Sequence, residues 1–223
     1  MPGITVLSFD LDDTLWPVAP AIIAAEQAAY EWLREHCPRA VQSHSIESMR
    51  DLRRQVGERW SHKSHDMTFL RRQALLHQLV DAGYPEELAD AAFEAFYAAR
   101  NRVQLYEDVE PALRRLQSRY RLFALSNGNA DLRRCGVAQF FEGHVSAQSA
   151  GHPKPDARIF AELARAAGVP PEQILHVGDD PHTDVDGALR AGLSAVWLRR
   201  AAQDWPAQLQ TPARIIRSLH ELQ

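Results

Sequence analysis

The sequence predicts an α/β fold: a doubly wound, mainly parallel sheet into which an α-helical cap is inserted after the first strand. Three observations predict it. Short apolar runs recur at residues 4–9, 121–125, 174–177 and 195–198, too short for helices and ending at acidic or small polar residues, as buried parallel strands do. Helical patterns alternate with these runs in the second half of the chain, which is the signature of strand–helix–strand units. Between the first and second runs, four helical patterns succeed one another with no strand among them.

In chain order, residues 4–9 (ITVLSF) are the first strand. Helical patterns cover 20–36, 45–60, 66–83 and 85–101. The third carries Phe69, Leu70, Leu75, Leu76, Leu79 and Val80 on a broad apolar stripe and stops at Gly83, a residue that ends helices readily. A helix is expected over 109–120, a strand over 121–125 and a short strand near 145–147. A helix over 157–168 ends at glycine. Then come a strand at 174–177, a helix at 184–191, a strand at 195–198, and a last short strand at Ile215 and Ile216 before a terminal helix. The core is thus expected in residues 1–17 and 105–223, and the cap in 18–104.

Composition narrows the function. The chain has 223 residues, 45% hydrophobic and 24% charged, with a net charge of −4. That is a globular mix able to bury a core without staples, and its charge disfavours nucleic acid or an acidic membrane as partner. No apolar run reaches the length of a membrane span. The N-terminus has no basic stretch before its apolar run, which argues against a signal peptide. Cys37 and Cys135 are the only cysteines, a usage that suggests a reducing, cytoplasmic setting. Of the 25 basic residues only Lys63 and Lys154 are lysines.

In parallel α/β sheets ligands bind beyond the carboxyl ends of the strands. The strand ends here lead into Asp10-Leu11-Asp12-Asp13-Thr14, then Ser126-Asn127-Gly128, then Lys154-Pro155-Asp156, then Gly178-Asp179-Asp180 with Asp184 beyond. Each alone is an ordinary turn or cap; four in order at one sheet edge suit phosphoryl transfer. Carboxylates bind a hard cation such as Mg2+ through oxygen. A lysine offsets phosphate charge, and a hydroxyl with nearby N–H groups holds phosphoryl oxygens. A carboxylate can attack phosphorus, and a second one can shuttle the proton.

These motifs resemble those of the haloacid dehalogenase-like superfamily, in its phosphatase branch with a helical cap. DxDxT matches Asp10–Thr14; a strand-end Ser or Thr, a Lys, and a Gly-Asp with a further Asp match Ser126, Lys154 and 178–184. The resemblance implies a Rossmann-like core, Mg2+ as cofactor, and a small phosphate ester as substrate. It implies Asp10 as nucleophile and metal ligand. Asp12 is implied as general acid/base whose main-chain carbonyl also meets the metal, and Thr14 as support for the loop. Ser126 and Asn127 would hold the phosphoryl group, and Lys154 would neutralise it and the nucleophile. Asp179 would be a direct metal ligand, and Asp184 an outer ligand or a partner for Lys154. Asp180 has two readings, a metal-bound water or a cap. The segments around Asp10, Ser126 and His176, and a His-Asp-x-Thr pattern at 65–68, are similar to bacterial riboflavin-pathway phosphatases. Those act on a ribitylaminouracil phosphate and on flavin mononucleotide.

Three other functions compete. A hydrolytic dehalogenase on the same fold needs the nucleophile but no leaving-group acid and no metal, so Asp12 and Asp179 count against it. A phosphomutase shares every motif. A silent binding module is disfavoured because Asp10, Lys154 and Asp179 are all present. Monomer and homodimer remain open. Arginine pairs at 53–54, 71–72, 114–115, 133–134 and 199–200 read as solvated faces. His62 and His65 form an HxxH spacing, too few ligands for zinc. Trp16 reads as a wall beside the catalytic loop.

Lys154 is tied to its motif, whereas Lys63 persists among arginines with no such reason, in a loop between two cap helices. The expectation is that Lys63, with His65 or Arg71, contacts the leaving group, the part of the substrate that sets specificity. Lys63→Ala should then lower kcat/KM for a flavin or ribityl phosphate while leaving p-nitrophenyl phosphate hydrolysis nearly unchanged. Equal responses from both substrates would mark Lys63 as a surface lysine.

Overall fold

Six short segments pair edge to edge as one wholly parallel sheet: β1 (Val6–Phe9), β2 (Arg121–Ser126), β3 (Gly143–Ser146), β4 (Ile174–Gly178), β5 (Ser194–Leu198) and β6 (Arg214–Ile216). Their spatial order is β3-β2-β1-β4-β5-β6. These are features of a computed structural model that describes residues 3–42, 44–212 and 214–222. Every residue of β1 and β4 is buried, which their apolar sequences permit because helices cover both faces of such a sheet. Phe9 of β1 lies opposite Ala124 of β2 and Val177 of β4. The strand order reverses direction at β1, and a crevice forms there beyond the carboxyl ends. The residues just past β1, β2 and β4 therefore emerge side by side.

The chain divides into two units, Met1–Pro17 with Gln104–Gln223, and Val18–Val103. In the first, α8 (Ala157–Ala167), which follows the short α7 (Ala147–Ala150), buries Ile159, Phe160, Leu163, Ala164 and Ala167 in one core with Phe123, Leu125 and Val145 of the sheet. Asp156 caps its start through the Arg158 N–H, and Gly168 ends it at φ 65°, a conformation only glycine adopts without cost. The chain leaves this unit and returns to it across one hydrogen bond: the Tyr106 N–H donates to the Leu15 carbonyl at 3.0 Å.

Several elements differ from the sequence expectation. The helix expected at 109–120 is α6 (Val109–Leu116). It stops early because residues 117–120 turn the chain back towards β2, with the Arg119 and Tyr120 N–H groups both on the Leu116 carbonyl. The helix expected at 184–191 is a wide π-helical turn, Pro181–Asp186, continued by α9 (Gly187–Arg190). The Asp180 carboxylate starts it early by accepting from the His182 and Thr183 N–H groups at 2.9 and 2.6 Å. Asp180 is thus a cap. The terminal helix is a single 3-10 turn, Leu219–Glu221.

The second unit is helical: α1 (Val18–His36), α2 (Pro38–Gln42), α3 (Ile46–Arg59), α4 (Met67–Asp81) and α5 (Leu88–Arg100). The short α2, absent from the expectation, begins at Pro38, a residue suited to the first helical position. Leu33, Cys37, Leu75, Leu79 and Ala92 form one core cluster and Ala25, Ala29 and Phe96 another. Glu26 of α1 is buried and accepts from Arg50 at 2.7 Å, with Arg53 and Arg71 at 3.5 and 3.7 Å. Burial, with Arg53 adding repulsion, pushes the Arg71 guanidinium down to about 9. Its face lies 3.8 Å above the Phe96 ring. Arg71 is thus engaged inside the helical unit and is not the solvated residue that its Arg-Arg pair suggests. Lys63 ends a 3-10 turn, Ser61–Lys63. Lys63 and His65 are half-buried, just before Asp66, which caps α4 through the Phe69 N–H at 2.8 Å. Cys37 and Cys135 are buried and form no disulfide. Among the described residues, no helix is long and apolar enough to cross a membrane.

Candidate active site

Asp10 begins where β1 ends, and its N–H donates to the Val177 carbonyl of β4 at 2.9 Å. That bond keeps the chain in the sheet for one residue more and leaves the side chain at the crevice. The next residues turn sharply. Asp13 adopts φ 59°, the left-handed region that Asp tolerates better than most residues. The Asp13 N–H donates to the Trp16 carbonyl at 2.8 Å and the Leu15 N–H to the Leu11 carbonyl at 2.7 Å. The Thr14 hydroxyl donates to Asp179 Oδ1 at 2.9 Å, which ties this loop to the one after β4. The Trp16 indole N–H donates to Asp12 Oδ1 at 2.8 Å. Trp16 is therefore an orienter of Asp12, beyond the wall expected from sequence.

Lys154 is 3% exposed. Its ammonium donates to Asp10 Oδ1 and Asp184 Oδ1, both at 2.5 Å, and to the Leu125 carbonyl at 3.0 Å. Three donors meet three acceptors, which a buried ammonium requires. Asn127 fixes the lysine from behind. Its side-chain amide donates to the Lys154 carbonyl at 3.0 Å and accepts from the Lys154 N–H at 2.7 Å. The Asn127 side chain, expected on the phosphoryl group, is thus engaged with Lys154 through its amide oxygen and one amide N–H. Ser126 is buried at the end of β2; its Oγ accepts from the Gly128 N–H at 3.0 Å and has a proton to donate.

The Asp10, Asp179 and Asp184 carboxylates each offer an oxygen within 4.8 Å of the others'. Burial pushes Asp10 well above the usual carboxylate range, with Asp184 and Asp179 adding repulsion and Lys154 opposing. Burial and the charge of Asp184 push Asp179 up to about 7. Asp184 is buried too, but Lys154 and His176 hold it well below the usual range, and its Oδ2 accepts from the Asp180 N–H at 3.0 Å. When all three are ionised, these carboxylates and the one ammonium leave two negative charges uncompensated. That surplus fits a divalent hard cation taking oxygen ligands. Asp184 pairs with Lys154, one of the two roles expected from sequence, and also belongs to the carboxylate triad. The Asp12 side chain is not in the triad. Lys63, His65 and Arg71 belong to the helical unit.

Two residues that sit within the sequence motifs but are given no role there support this set. His176 sits fully buried in β4. Its Nδ1 is 2.8 Å from the Ser8 Oγ and its Nε2 3.2 Å from Asp184 Oδ1. Burial lowers its pKa, so the ring is neutral. A carboxylate only accepts, so Nε2 carries the proton and Ser8 donates to Nδ1. The available signal is a histidine inside an otherwise apolar strand. Gly178 is the second. A Cβ there would lie 2.3 Å from the Asp184 carboxyl carbon, so only glycine lets Asp184 reach Lys154.

Residues 4–192 match the sequence model of haloacid dehalogenase-like hydrolases. The chain is 34% identical to the Escherichia coli (strain K12) 5-amino-6-(5-phospho-D-ribitylamino)uracil phosphatase YigB, over 92% of this chain and 90% of that protein. It is 33% identical to the glyceraldehyde 3-phosphate phosphatase of Methanopyrus kandleri, over 88% and 84%. Among solved structures, a 2-haloacid dehalogenase from Pseudomonas syringae pv. Tomato DC3000 superposes with a TM-score of 0.92 at 38% identity, covering 98% of this chain and 96% of that one. The family motifs at one sheet edge and a family match spanning most of the chain agree: this protein belongs to the haloacid dehalogenase-like hydrolases.

Proposed function

We propose that the protein is a Mg2+-dependent phosphatase that hydrolyses a small phosphorylated metabolite through an aspartyl-phosphate on Asp10. The observation that carries this reading is the cluster of three carboxylates, Asp10, Asp179 and Asp184, of which Asp10 and Asp184 share a single buried lysine. Its surplus negative charge serves no purpose in carbon–halogen hydrolysis and suits a metal-assisted attack on phosphorus. Asp10 and Asp179, with the Asp12 carbonyl and Asp184, are the groups that would hold Mg2+. When bound, Mg2+ neutralises charge on the phosphoryl oxygens.

In the first step an Asp10 carboxylate oxygen attacks phosphorus and the ester P–O bond breaks. The Asp12 carboxyl gives its proton to the departing oxygen. In the second step Asp12, now a carboxylate, takes a proton from water. The water oxygen attacks phosphorus, the bond to Asp10 breaks, and inorganic phosphate leaves with both aspartates restored. Lys154 keeps Asp10 charged and in line, while the Ser126 hydroxyl and adjacent N–H groups bind the non-reacting oxygens. The Trp16 indole holds Asp12 in place across both steps.

For substrate, the reading favours a ribitylaminouracil phosphate or flavin mononucleotide, on the relation to the E. coli phosphatase and the His65–Thr68 pattern. The helical unit is proposed to select the leaving group, with Lys63 and His65 as the contacting residues. Arg71, engaged with Glu26 and Phe96, is proposed to act through the shape of that unit. The dehalogenase reading keeps one supporting observation, the 38% identical 2-haloacid dehalogenase, and chloride release from 2-chloropropionate by metal-free protein would establish it.

Asp10→Asn retains shape and removes the attacking charge. Phosphate release should fall by several orders of magnitude with the circular dichroism spectrum unchanged; near-normal turnover in a folded variant would sink the covalent route. Asp12→Ala should slow turnover about 10²–10⁴-fold, and a pH–rate profile identical to the parent's would remove Asp12 from the proton path. EDTA should abolish activity and Mg2+ restore it. Because burial and Asp184 push Asp179 up to about 7, the metal must displace a proton below that pH. The Mg2+ concentration for half-maximal activity should therefore rise steadily from pH 8 to pH 6, and a requirement independent of pH would contradict Asp179 as a ligand.

A further inference from the structure

Arg200 lies two residues past β5, in an Arg199–Arg200 pair of the kind expected on a solvated face. Its side chain is instead only 12% exposed. Nε and Nη2 both donate to the Thr14 carbonyl, at 3.1 and 3.0 Å. Nη1 donates to Asp108 Oδ2 at 2.9 Å, and the guanidinium lies 4.2 Å over the Tyr106 ring. Asp108 Oδ2 is fixed in turn by the Ser218 hydroxyl at 2.8 Å and the Leu219 N–H at 2.7 Å. One guanidinium thus joins three segments far apart in sequence: the loop after β1, the stretch 106–108 and the C-terminal turn.

The carbonyl that Arg200 grips belongs to the residue whose hydroxyl donates to Asp179. It comes directly after Asp13, held at φ 59°, and lies two residues before the indole that orients Asp12. We propose that Arg200 is a positioning residue for the hydrolytic reaction: by holding the Thr14 peptide it fixes the Asp10–Trp16 loop so that Asp10 and Asp12 face the reacting phosphoryl group. The contact pattern needs an arginine. Two adjacent N–H groups converge on one carbonyl while a third meets a carboxylate from the same plane, and a lysine ammonium cannot reproduce that fork. The proposal rests on the phosphatase reading for its kinetic test and on geometry alone for its exchange test.

Arg200→Ala and Arg200→Lys are compared with the parent in Mg2+-supplemented phosphate release from p-nitrophenyl phosphate and flavin mononucleotide, and in hydrogen–deuterium exchange across residues 11–16. The alanine variant should lose about 10–100-fold in kcat, the usual effect of removing a group that orients a reacting one. The loss should be the same for both substrates with KM nearly constant, because the loop serves the phosphoryl group common to both. Millimolar guanidinium should restore part of that kcat, lysine should restore less than arginine, and exchange across 11–16 should quicken while α8 is unchanged. Parental kcat in both variants overturns the proposal, as does a change confined to KM. So does a kcat loss that guanidinium leaves untouched and that accompanies faster exchange throughout the α/β unit. If Arg200→Ala fails to fold, Arg200→Lys decides alone, and parental kcat there overturns it. If the parent releases no phosphate, the phosphatase reading fails; unchanged exchange across 11–16 in the variants then separately overturns the role of Arg200.

Discussion

A buried ammonium stands between two carboxylates at the carboxyl edge of the sheet, with Lys154 2.5 Å from both Asp10 and Asp184. Removing these charges from water costs several kcal/mol for each ion, and the mutual attraction offsets that cost only when geometry is tight and every remaining donor and acceptor is met. Most of the surrounding structure meets that condition. The Leu125 carbonyl takes the third ammonium proton. Asn127 clamps the lysine main chain from both sides. His176 and the Asp180 N–H satisfy the far side of Asp184, and Gly178 clears the space it occupies. The residues that do chemistry and those that make the buried charges tolerable are thus one connected network drawn from β1, β2, β4 and the loop before α8.

Much of this is legible in the sequence because the reactive residues sit just past apolar runs, and the C-terminal ends of parallel strands share one edge. Asp10, Ser126 and Asp179 are visible on that basis alone, and Lys154 as one of only two lysines among 25 basic residues. The strand order is not, since the motifs occur in chain order and nothing in them says that β1 lies between β2 and β4. His176 is obscured because a strand pattern reveals burial and not partners. Arg200 and Arg71 are obscured for the opposite reason: an Arg-Arg pair looks the same whether a guanidinium meets water, a carbonyl or an aromatic face. The helix expected at 184–191 begins early because Asp180 supplies a cap whose reach periodicity does not register. Sequence leaves Asp180 open between metal and cap, and its Oδ1 is seen capping the turn through the His182 and Thr183 N–H groups.

The fold by itself does not separate carbon–halogen from phosphorus–oxygen hydrolysis, since one scaffold can carry both. The difference lies in the charge stored beside the nucleophile. A lysine with a single carboxylate is close to neutral, and a site of that kind can attack carbon unaided. Here a second and a third carboxylate lie within reach of the first, and Asp12, two residues past the nucleophile, is held by an indole. Both features add negative charge or proton-transfer capacity that a displacement of halide does not use.

The chain leaves the α/β unit and re-enters it across the single hydrogen bond between Leu15 and Tyr106. Seen from the sheet, the 18–103 excursion is a closed loop whose ends are already pinned, and doubling the length of such a loop adds only about 0.6 kcal/mol of closure entropy. The excursion is therefore a cassette. A longer or shorter excursion between the same two points would leave the strand pairing and the buried ammonium of the sheet untouched. Change within the helical excursion is in this way uncoupled from the buried charges at the sheet edge.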